Sequence, residues 1–349
     1  MRILLAPLRG VTLAPFRRTL SLRFGGLDGA LAPFAALGGP GRVPAKIFAD
    51  VAADARGEFP VEPQVIGRDP DSLREAGRIL RDMGFSRMNL NCGCPWKFVA
   101  RKGRGSGLPE DPVAFERMLE AGCEAMPGGF SVKIRLGRHS PRTLEERAEM
   151  LNRHPLRCIV VHPRTADQMY GGRVDLNAFG RVLPMLRAPV IYNGDIFSAD
   201  DAVAIAARFP SISGIMIGRG LCMRPWLAEE IAARLSGKPP LPSQEREAEN
   251  RVRAFYFAEA LAEQYARQLF GPAPLLGRLK ELWSYLHAAF EVGDEGLRRI
   301  LRSTTPEALL AAARSLAAGA GVDVTQPRFA RGGELRECSS DRIDGAQQR

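Results

Sequence analysis

Over its first 217 residues the chain alternates short apolar runs with amphipathic helical stretches, and this alternation restricts the fold more than any other feature. Apolar, β-rich runs fall at 3–6, 30–34, 63–66, 88–90, 131–134, 158–161, 190–192 and 214–217. Helix patterns lie between many of them. The stretch 71–83 has an acidic first turn and stops at Gly84, and 112–125 opens on Pro112. Glu145 and Glu146 begin 143–152, and Ser198 followed by Asp200 and Asp201 begins 198–208. Acidic first turns and a serine cap are start signals, because they satisfy the free N–H groups of a helix N-terminus. Strands alternating with helices pair in parallel through right-handed crossovers. Eight such strands suffice to close a TIM barrel of the (β/α)8 kind. The expected class is therefore α/β. An open doubly wound sheet is the competing architecture. It calls for a glycine-rich turn after the first strand, where this chain has Pro7-Leu8-Arg9-Gly10.

One barrel takes about 250 residues, so 349 residues leave room for a smaller second unit. Residues 1–236 are expected to form the barrel. A proline-rich linker is expected at 237–245, since GKPPLP resists helix formation. Beyond it, 244–268, 274–290 and 296–316 read as helices, so 246–316 is expected to be a small all-α domain. The stretch 317–349 is Gly-rich, polar and charged, and reads as a disordered tail. The 49 Lys and Arg against 39 Asp and Glu give a net charge of +10, which favours a polyanionic partner without defining one. No apolar run approaches the ~20 residues that span a bilayer, and the N-terminal run breaks too early, at Pro7, for a signal peptide. The six cysteines hold no paired CxxC motifs, so no metal site is expected. The chain reads as a cytoplasmic protein with reduced thiols.

In parallel barrels the chemistry sits at the C-terminal strand ends. Here those ends carry Pro7, Gln64, Asn91, Cys94, Lys133, His162, Arg164, Asn193, Asp195, Gly218 and Arg219. Any one of them has a plain reading as a loop residue; the set as a whole does not. The turns Asn193-Gly194-Asp195 and Gly218-Arg219-Gly220 follow the last two strands, where barrels often hold phosphate. Glycines let backbone N–H groups approach an anion, and Arg219 adds a charged fork. The competing reading is a pair of glycine turns with a surface arginine. Lys133 can hold an anionic ring edge, His162 suits a polar ring face, and Gln64 can donate or accept.

The turn Asn91-Cys92-Gly93-Cys94-Pro95 is the sharpest local feature. With a reference pKa near ~8.5, a thiol there stays protonated at neutral pH and can donate a proton. A disulfide, a metal site or buried small cysteines are the alternatives, and burial is the reading for Cys92, Cys123, Cys158 and Cys222. Cys338 is incidental. Just downstream, Lys97, Arg101, Lys102 and Arg104 interleave with Trp96 and Phe98, which suits phosphate contact and base stacking. The alternative is a solvated basic loop. Arg278, Lys280 and Trp283 share a predicted helix, with Lys280 and Trp283 on one face.

Taken in order, LLAPLRGVT, PQVIG, LNCGCPWKFV, VKIRLG, VVHPRT, YNGDI and IMIGRG resemble the tRNA-dihydrouridine synthases. The resemblance runs to about residue 235 and continues weakly into RLKELWSYL. The LLAP start, the LNCGCP turn and the WSYL ending most resemble the bacterial C subfamily, associated with position 16 of the D-loop. It implies that FMN, reduced by NADPH, passes a hydride to C6 of a uridine in tRNA while a cysteine protonates C5. Cys94 matches the catalytic acid. Pro7, Leu8, Gln64, Lys133, His162, Asn193, Gly194, Asp195, Gly218 and Arg219 match FMN-binding positions, with Arg9 in the same turn. Asn91 and Arg164 match residues beside flavin and uracil, and Lys97, Arg101, Lys102, Arg278 and Lys280 are assigned to RNA. A monomer is expected. The chain departs from the pattern at Arg9, at VTL in 11–13, at Ala32-Pro33-Phe34, at Ala100 and in GRGSGLPED, which bears on substrate geometry. Two other readings remain at this point: an FMN barrel reductase of a free pyrimidine or small enone, and a non-catalytic RNA-binding descendant.

Overall fold

The strand–helix alternation becomes ten parallel strand segments. They are β1 (Arg2–Leu5), β2 (Gly29–Leu31), β3 (Ala35–Ala36), β4 (Val61–Glu62), β5 (Gln64–Ile66), β6 (Met88–Cys92), β7 (Phe130–Gly137), β8 (Cys158–Thr165), β9 (Val190–Asn193) and β10 (Gly214–Ile217). The computed structural model describes residues 1–39, 43–52, 57–237, 244–290, 294–322 and 324. The sheet order is β3-β5-β6-β7-β8-β9-β10-β1-β2-β4. β2 and β3 are halves of one strand, and β4 and β5 are halves of another, broken at Pro63. β2 pairs with β4 and β3 with β5, so the two ends of the order meet and an eight-stranded barrel closes. Each expected strand is present, two of them split. Proline has no N–H to donate to the ladder, which accounts for the break at Pro63.

The helices around the ring are α1 (Ala14–Arg23), α2 (Pro70–Asp82), α3 (Lys97–Ala100), α4 (Pro112–Ala125), α5 (Thr143–Asn152), α6 (Leu176–Val182), α7 (Ala199–Arg208), α8 (Arg219–Met223) and α9 (Leu227–Leu235). Their starts follow the sequence signals. Asp69 accepts from the Ser72 N–H at 2.8 Å and Asp111 from the Ala114 N–H at 3.1 Å. Ser198 and Asp201 form a reciprocal capping box. Interior positions on β1, β2, β8, β9 and β10 form a small apolar cluster around Ala6, Leu31, Val160 and Met216. On β5 to β8 the buried residues include Gln64, Asn89, Asn91, Ser131, Arg135, His162 and Arg164. One side of the barrel interior is thus polar, and each buried polar group there requires a partner.

Past residue 237 come α10 (Gln244–Gln268), α11 (Pro272–Leu286), α12 (Asp294–Arg302) and α13 (Pro306–Gly319). The helix expected over 296–316 is divided between α12 and α13. Pro306 disfavours helical backbone at Thr305, whose hydroxyl instead caps α13 by accepting from the Ala308 N–H at 3.2 Å. Residues 238–243 of the expected linker lie outside the described residues. So do 323 and 325–349 of the expected tail, whereas Ala317 and Val322 are buried. These helices share a core with the barrel. The Phe257 ring meets Phe16 edge-on at 5.3 Å and Phe24 at 5.9 Å. Arg253 ties α10 to Glu229 of α9 at 2.8 Å and to the Arg23 carbonyl. α11 lies on α8 and on the turn after β1, where Arg278 donates to the Gly10 carbonyl at 2.6 Å. Phe257→Ala removes the ring wedged between these units, and urea unfolding should show a loss of about 3–5 kcal/mol.

Candidate active site

The strand ends on one face of the barrel surround a single cleft. Pro7, Leu8, Arg9, Gln64, Lys133, His162, Asn193, Gly194, Asp195, Gly218 and Arg219 all line it, together with Asn91 and Cys94. The parallel ladders explain the convergence, because they point every C-terminal strand end the same way.

Cys94 sits in a turn held from three sides. The Asn91 side-chain oxygen accepts from the Gly93 N–H at 3.1 Å and the Cys94 N–H at 2.8 Å. Ser106 donates its N–H to the Cys94 carbonyl at 3.1 Å. Arg135 donates through Nε to the Gly93 carbonyl at 2.9 Å, and through Nη1 to the carbonyls of Thr165 and Met169. Gly105 has φ +56° and lies so close that a Cβ there would stand 2.8 Å from the Cys94 Cβ. Burial pushes the Cys94 thiol pKa up, against a hydrogen bond from the Trp96 backbone and the nearby Arg135, Arg9 and Lys133. The sulfur is therefore a thiol at neutral pH. Cys92 is 1 % exposed and shares the core-facing side of its strand with Leu90, whereas Cys94 lies beyond the strand end, where the turn carries it to the cleft. Cys158 and Cys222 are buried and Cys123 is half-buried, while Cys338 lies outside the described residues.

The opposite wall is cationic. Asp195, the one carboxylate lining the cleft among the described residues, accepts from Arg219 at 2.8 Å and from Arg164 at 2.5 Å. Arg219 also lies 5.5 Å from the Tyr170 ring and 5.3 Å from Phe197. Asn193 anchors its loop by donating to the Met216 carbonyl at 2.7 Å. Lys133 makes no hydrogen bond or ion pair among the described residues, and burial and Arg135 bring its pKa down to about 7. Burial, then Arg135, Lys133, Arg164 and Arg219, hold His162 well below the usual imidazole range, so the ring is neutral. Arg164 Nη1 lies 3.1 Å from His162 Nε2. A guanidinium can only donate. Nε2 is therefore the acceptor, and the single ring proton of His162 sits on Nδ1.

Arg164 is not placed to touch a substrate. It is 1 % exposed, and its remaining donors go to the Gly171 and Gly172 carbonyls at 3.2 and 2.7 Å. Its role is to set His162 and Asp195. Lys97, Arg101 and Lys102 stand outside the cleft on its rim, exposed on α3 and the following turn. The Lys102 ammonium sits 4.2 Å above the Phe98 ring, and the Arg9 guanidinium 4.7 Å above Trp96. Trp96 and Phe98 are 51 % and 71 % exposed, which no core requirement explains. Lys280 is half-buried on α11, while Arg278 holds the turn after β1. Trp283 does not share the surface expected for it, being 1 % exposed against Phe290.

Arg135 and Tyr170 line the cleft without having been singled out in the sequence. Alternation does point to Arg135, two residues after Lys133 on the same strand face. Tyr170 has no such signal. It follows Met169, which holds a left-handed φ of 51°, in the loop after β8, and it reaches the cleft only because that loop folds over it.

The family model for dihydrouridine synthase matches residues 4–270. The chain is 34 % identical over 321 residues to a probable tRNA-dihydrouridine synthase of Rhodobacter capsulatus, covering 90 % of this chain and 94 % of that one. It is 31 % identical over 246 residues to tRNA-dihydrouridine synthase B of Xanthomonas campestris pv. campestris, covering 69 % and 72 %. Among solved structures, the old yellow enzyme homologue from Zymomonas mobilis superposes with a TM-score of 0.50 at 13 % identity, covering 70 % of this chain and 91 % of that one, a likeness of fold alone. The chain belongs to the dihydrouridine synthase family of flavin-dependent oxidoreductases. Among the described residues no helix is long and apolar enough to cross a membrane, and no three His, Cys, Asp or Glu side chains gather as a metal site.

Methylated with carbon-13 formaldehyde, Lys133 should titrate by NMR with a midpoint near 7. Below that pH the cleft gains a positive charge; above it the amine is neutral. Arg135→Leu should move the midpoint upward by removing a neighbouring cation. A midpoint at the ordinary 10.5 would show that the cleft does not desolvate this amine.

Proposed function

We propose that this protein binds FMN in the cleft, takes reducing equivalents from NADPH, and converts a uridine of tRNA to 5,6-dihydrouridine, with Cys94 as the proton donor. One observation carries the reading: a half-buried thiol faces the same cleft as a lysine without a partner among the described residues and two glycine turns carrying an arginine. The residues present fit an anionic flavin. A lysine with no partner among the described residues, inside a cleft that they line with one carboxylate, suits a ligand bearing negative charge. A Cβ placed at Gly218 would meet Ala6 and Leu8 at ordinary van der Waals contact, 3.5 Å and beyond, without a clash. Gly194, Gly218 and Arg219 suit the phosphate, while Lys133, Gln64 and the Nδ1–H of His162 suit the ring edge.

When bound and reduced, the flavin supplies the hydride that forms the new C–H bond at C6. Cys94 supplies the other hydrogen, as the S–H bond breaks and C5 takes the proton. The thiolate left behind recovers a proton from water, which its half-exposed position admits. Arg135 and Asn91 hold the Cys94 backbone, so the sulfur is placed before substrate arrives. Tyr170, Pro33 and Phe34 also line the cleft and would shield the reacting carbons from water.

A uracil reaches such a cleft only by leaving its stack. Trp96 and Phe98, each with a cation over its face, offer stacking platforms on the rim, and Lys97, Arg101 and Lys102 offer phosphate contacts. Lys280 and the helices from residue 246 to 316 extend that surface, so we assign them to tRNA and residues 1–236 to catalysis. The LLAP, LNCGCP and WSYL motifs favour position 16 of the D-loop. The protein is read as a cytoplasmic monomer.

Cys94→Ala should lower dihydrouridine formation on unmodified tRNA by about 10²–10⁴-fold while flavin reduction by NADPH continues. Retention of full tRNA activity would remove Cys94 from the mechanism. Phe98→Ala should raise the KM for tRNA about tenfold without lowering NADPH oxidation. Nucleotide-resolution mapping in cells lacking the gene should show loss of dihydrouridine at position 16. Loss elsewhere in tRNA would keep the chemistry and reassign the target. Efficient turnover of free uridine would defeat the RNA reading.

A further inference from the structure

Behind the cleft, a line of hydrogen bonds runs down the polar side of the barrel to its other end. From the top, backbone N–H groups of Gly93 and Cys94 can only donate, so the Asn91 oxygen must face them. The Asn91 amide nitrogen then donates to the Gln64 oxygen at 2.9 Å. The Gln64 nitrogen donates to the Asn89 oxygen at 2.7 Å, and the Asn89 nitrogen to the Ser131 hydroxyl at 2.7 Å. The Ser131 hydroxyl donates to Glu62 at 2.5 Å, and Arg157 pairs with the other Glu62 oxygen. From the bottom, a carboxylate can only accept, so it too obliges Ser131 to donate. Both anchors impose the same direction on every bond between them.

The ladder register places this chain. Gln64 is level with Asn89, and Asn89 with Ser131, on three adjacent strands. Gln64 and Asn89 are 1 % exposed and Ser131 is 0 % exposed. A broken link therefore strands a buried amide, and water does not replace it for free. Bonds aligned head to tail also polarise one another, so the charge on Glu62 strengthens each acceptor up to Asn91. The Gln64 oxygen is committed to Asn91 and one amide hydrogen to Asn89. What Gln64 has left for a ligand in the cleft is its second N–H and one lone pair on its oxygen, and the chain sets where each lies.

We propose that Ser131 and Glu62, at the end of the barrel away from the cleft, are positioning residues for the reaction. Their hydrogen-bond chain fixes the orientation of the Gln64 amide beside the flavin and steadies the turn that carries Cys94. The proposal rests on the reading of the cleft as a flavin site. Ser131 touches neither flavin nor uridine, and it acts through Asn89 and Gln64.

Two readouts on Ser131→Ala test it. The first is FMN affinity and the visible band of bound flavin. The second is the iodoacetamide alkylation rate of Cys94 in flavin-free protein, read by peptide mass. Ser131→Ala should weaken FMN binding about tenfold, shift the flavin band and speed Cys94 alkylation at least about threefold. Ser131→Thr keeps the hydroxyl and should restore both. A cavity of about 190 Å³ beside it, lined also by Leu31 and Arg87, has room for the added methyl. Leu31→Val, which alters that cavity without touching the chain, should leave both readouts at wild-type values. Wild-type values for either readout in Ser131→Ala overturn the proposal. So does failure of Ser131→Thr to restore them. If Ser131→Ala does not fold, the near-isosteric Glu62→Gln is measured in the same two ways, with the same outcomes deciding. If wild-type protein binds no FMN, the flavin reading falls, and Cys94 alkylation alone decides whether the chain steadies the turn.

Discussion

Among the described residues, Lys133, Arg135 and Arg219 enter the mouth of the barrel with a single carboxylate, Asp195, to answer them. The rest of the site follows from that imbalance. Burying cations together is unfavourable unless each finds acceptors or sheds its proton. Arg135 solves the problem with three backbone carbonyls, and in doing so it clamps Gly93 to the end of β8 and the loop beyond. Arg219 and the underlying Arg164 share Asp195. Lys133 has no such partner, and its pKa falls to about 7. A cleft built this way suits an anion.

The same cations fix the protonation of their neighbours. His162 stays neutral because burial and four positive groups oppose its charging, and Arg164 directs its proton to Nδ1. Cys94 feels the opposite pull from those cations, yet burial outweighs them and the sulfur keeps its hydrogen. A thiolate in that position would be a nucleophile, whereas a thiol can donate a proton. Burial rather than sequence spacing thus decides which of two chemistries Cys94 offers.

Much of the frame was legible before any coordinates. The eight strand runs, Ser198 as a cap and Pro112 at a helix start all lie in local pattern, and short-range sterics and hydrogen bonding enforce them. The cleft residues were legible too, since parallel strands oblige their C-terminal ends to share one face. Other features were hidden. The split of 296–316 turned on one Thr-Pro step. Arg164 looked like a site residue, yet its guanidinium is consumed inside the wall. Trp283 reads on a helix wheel as a partner for Lys280, but its ring is buried against Phe290.

The sequence by itself determined the barrel, the order of its strand ends and the thiol-bearing turn, because two-residue and helical periodicities, proline and caps act over a few residues. Only the tertiary structure decided which charges meet. It made Arg135 a clamp, brought Tyr170 over the cleft and joined Glu62 to Asn91 across the barrel interior. Those relations depend on distances between segments tens of residues apart, and such distances exist only once the ring has closed.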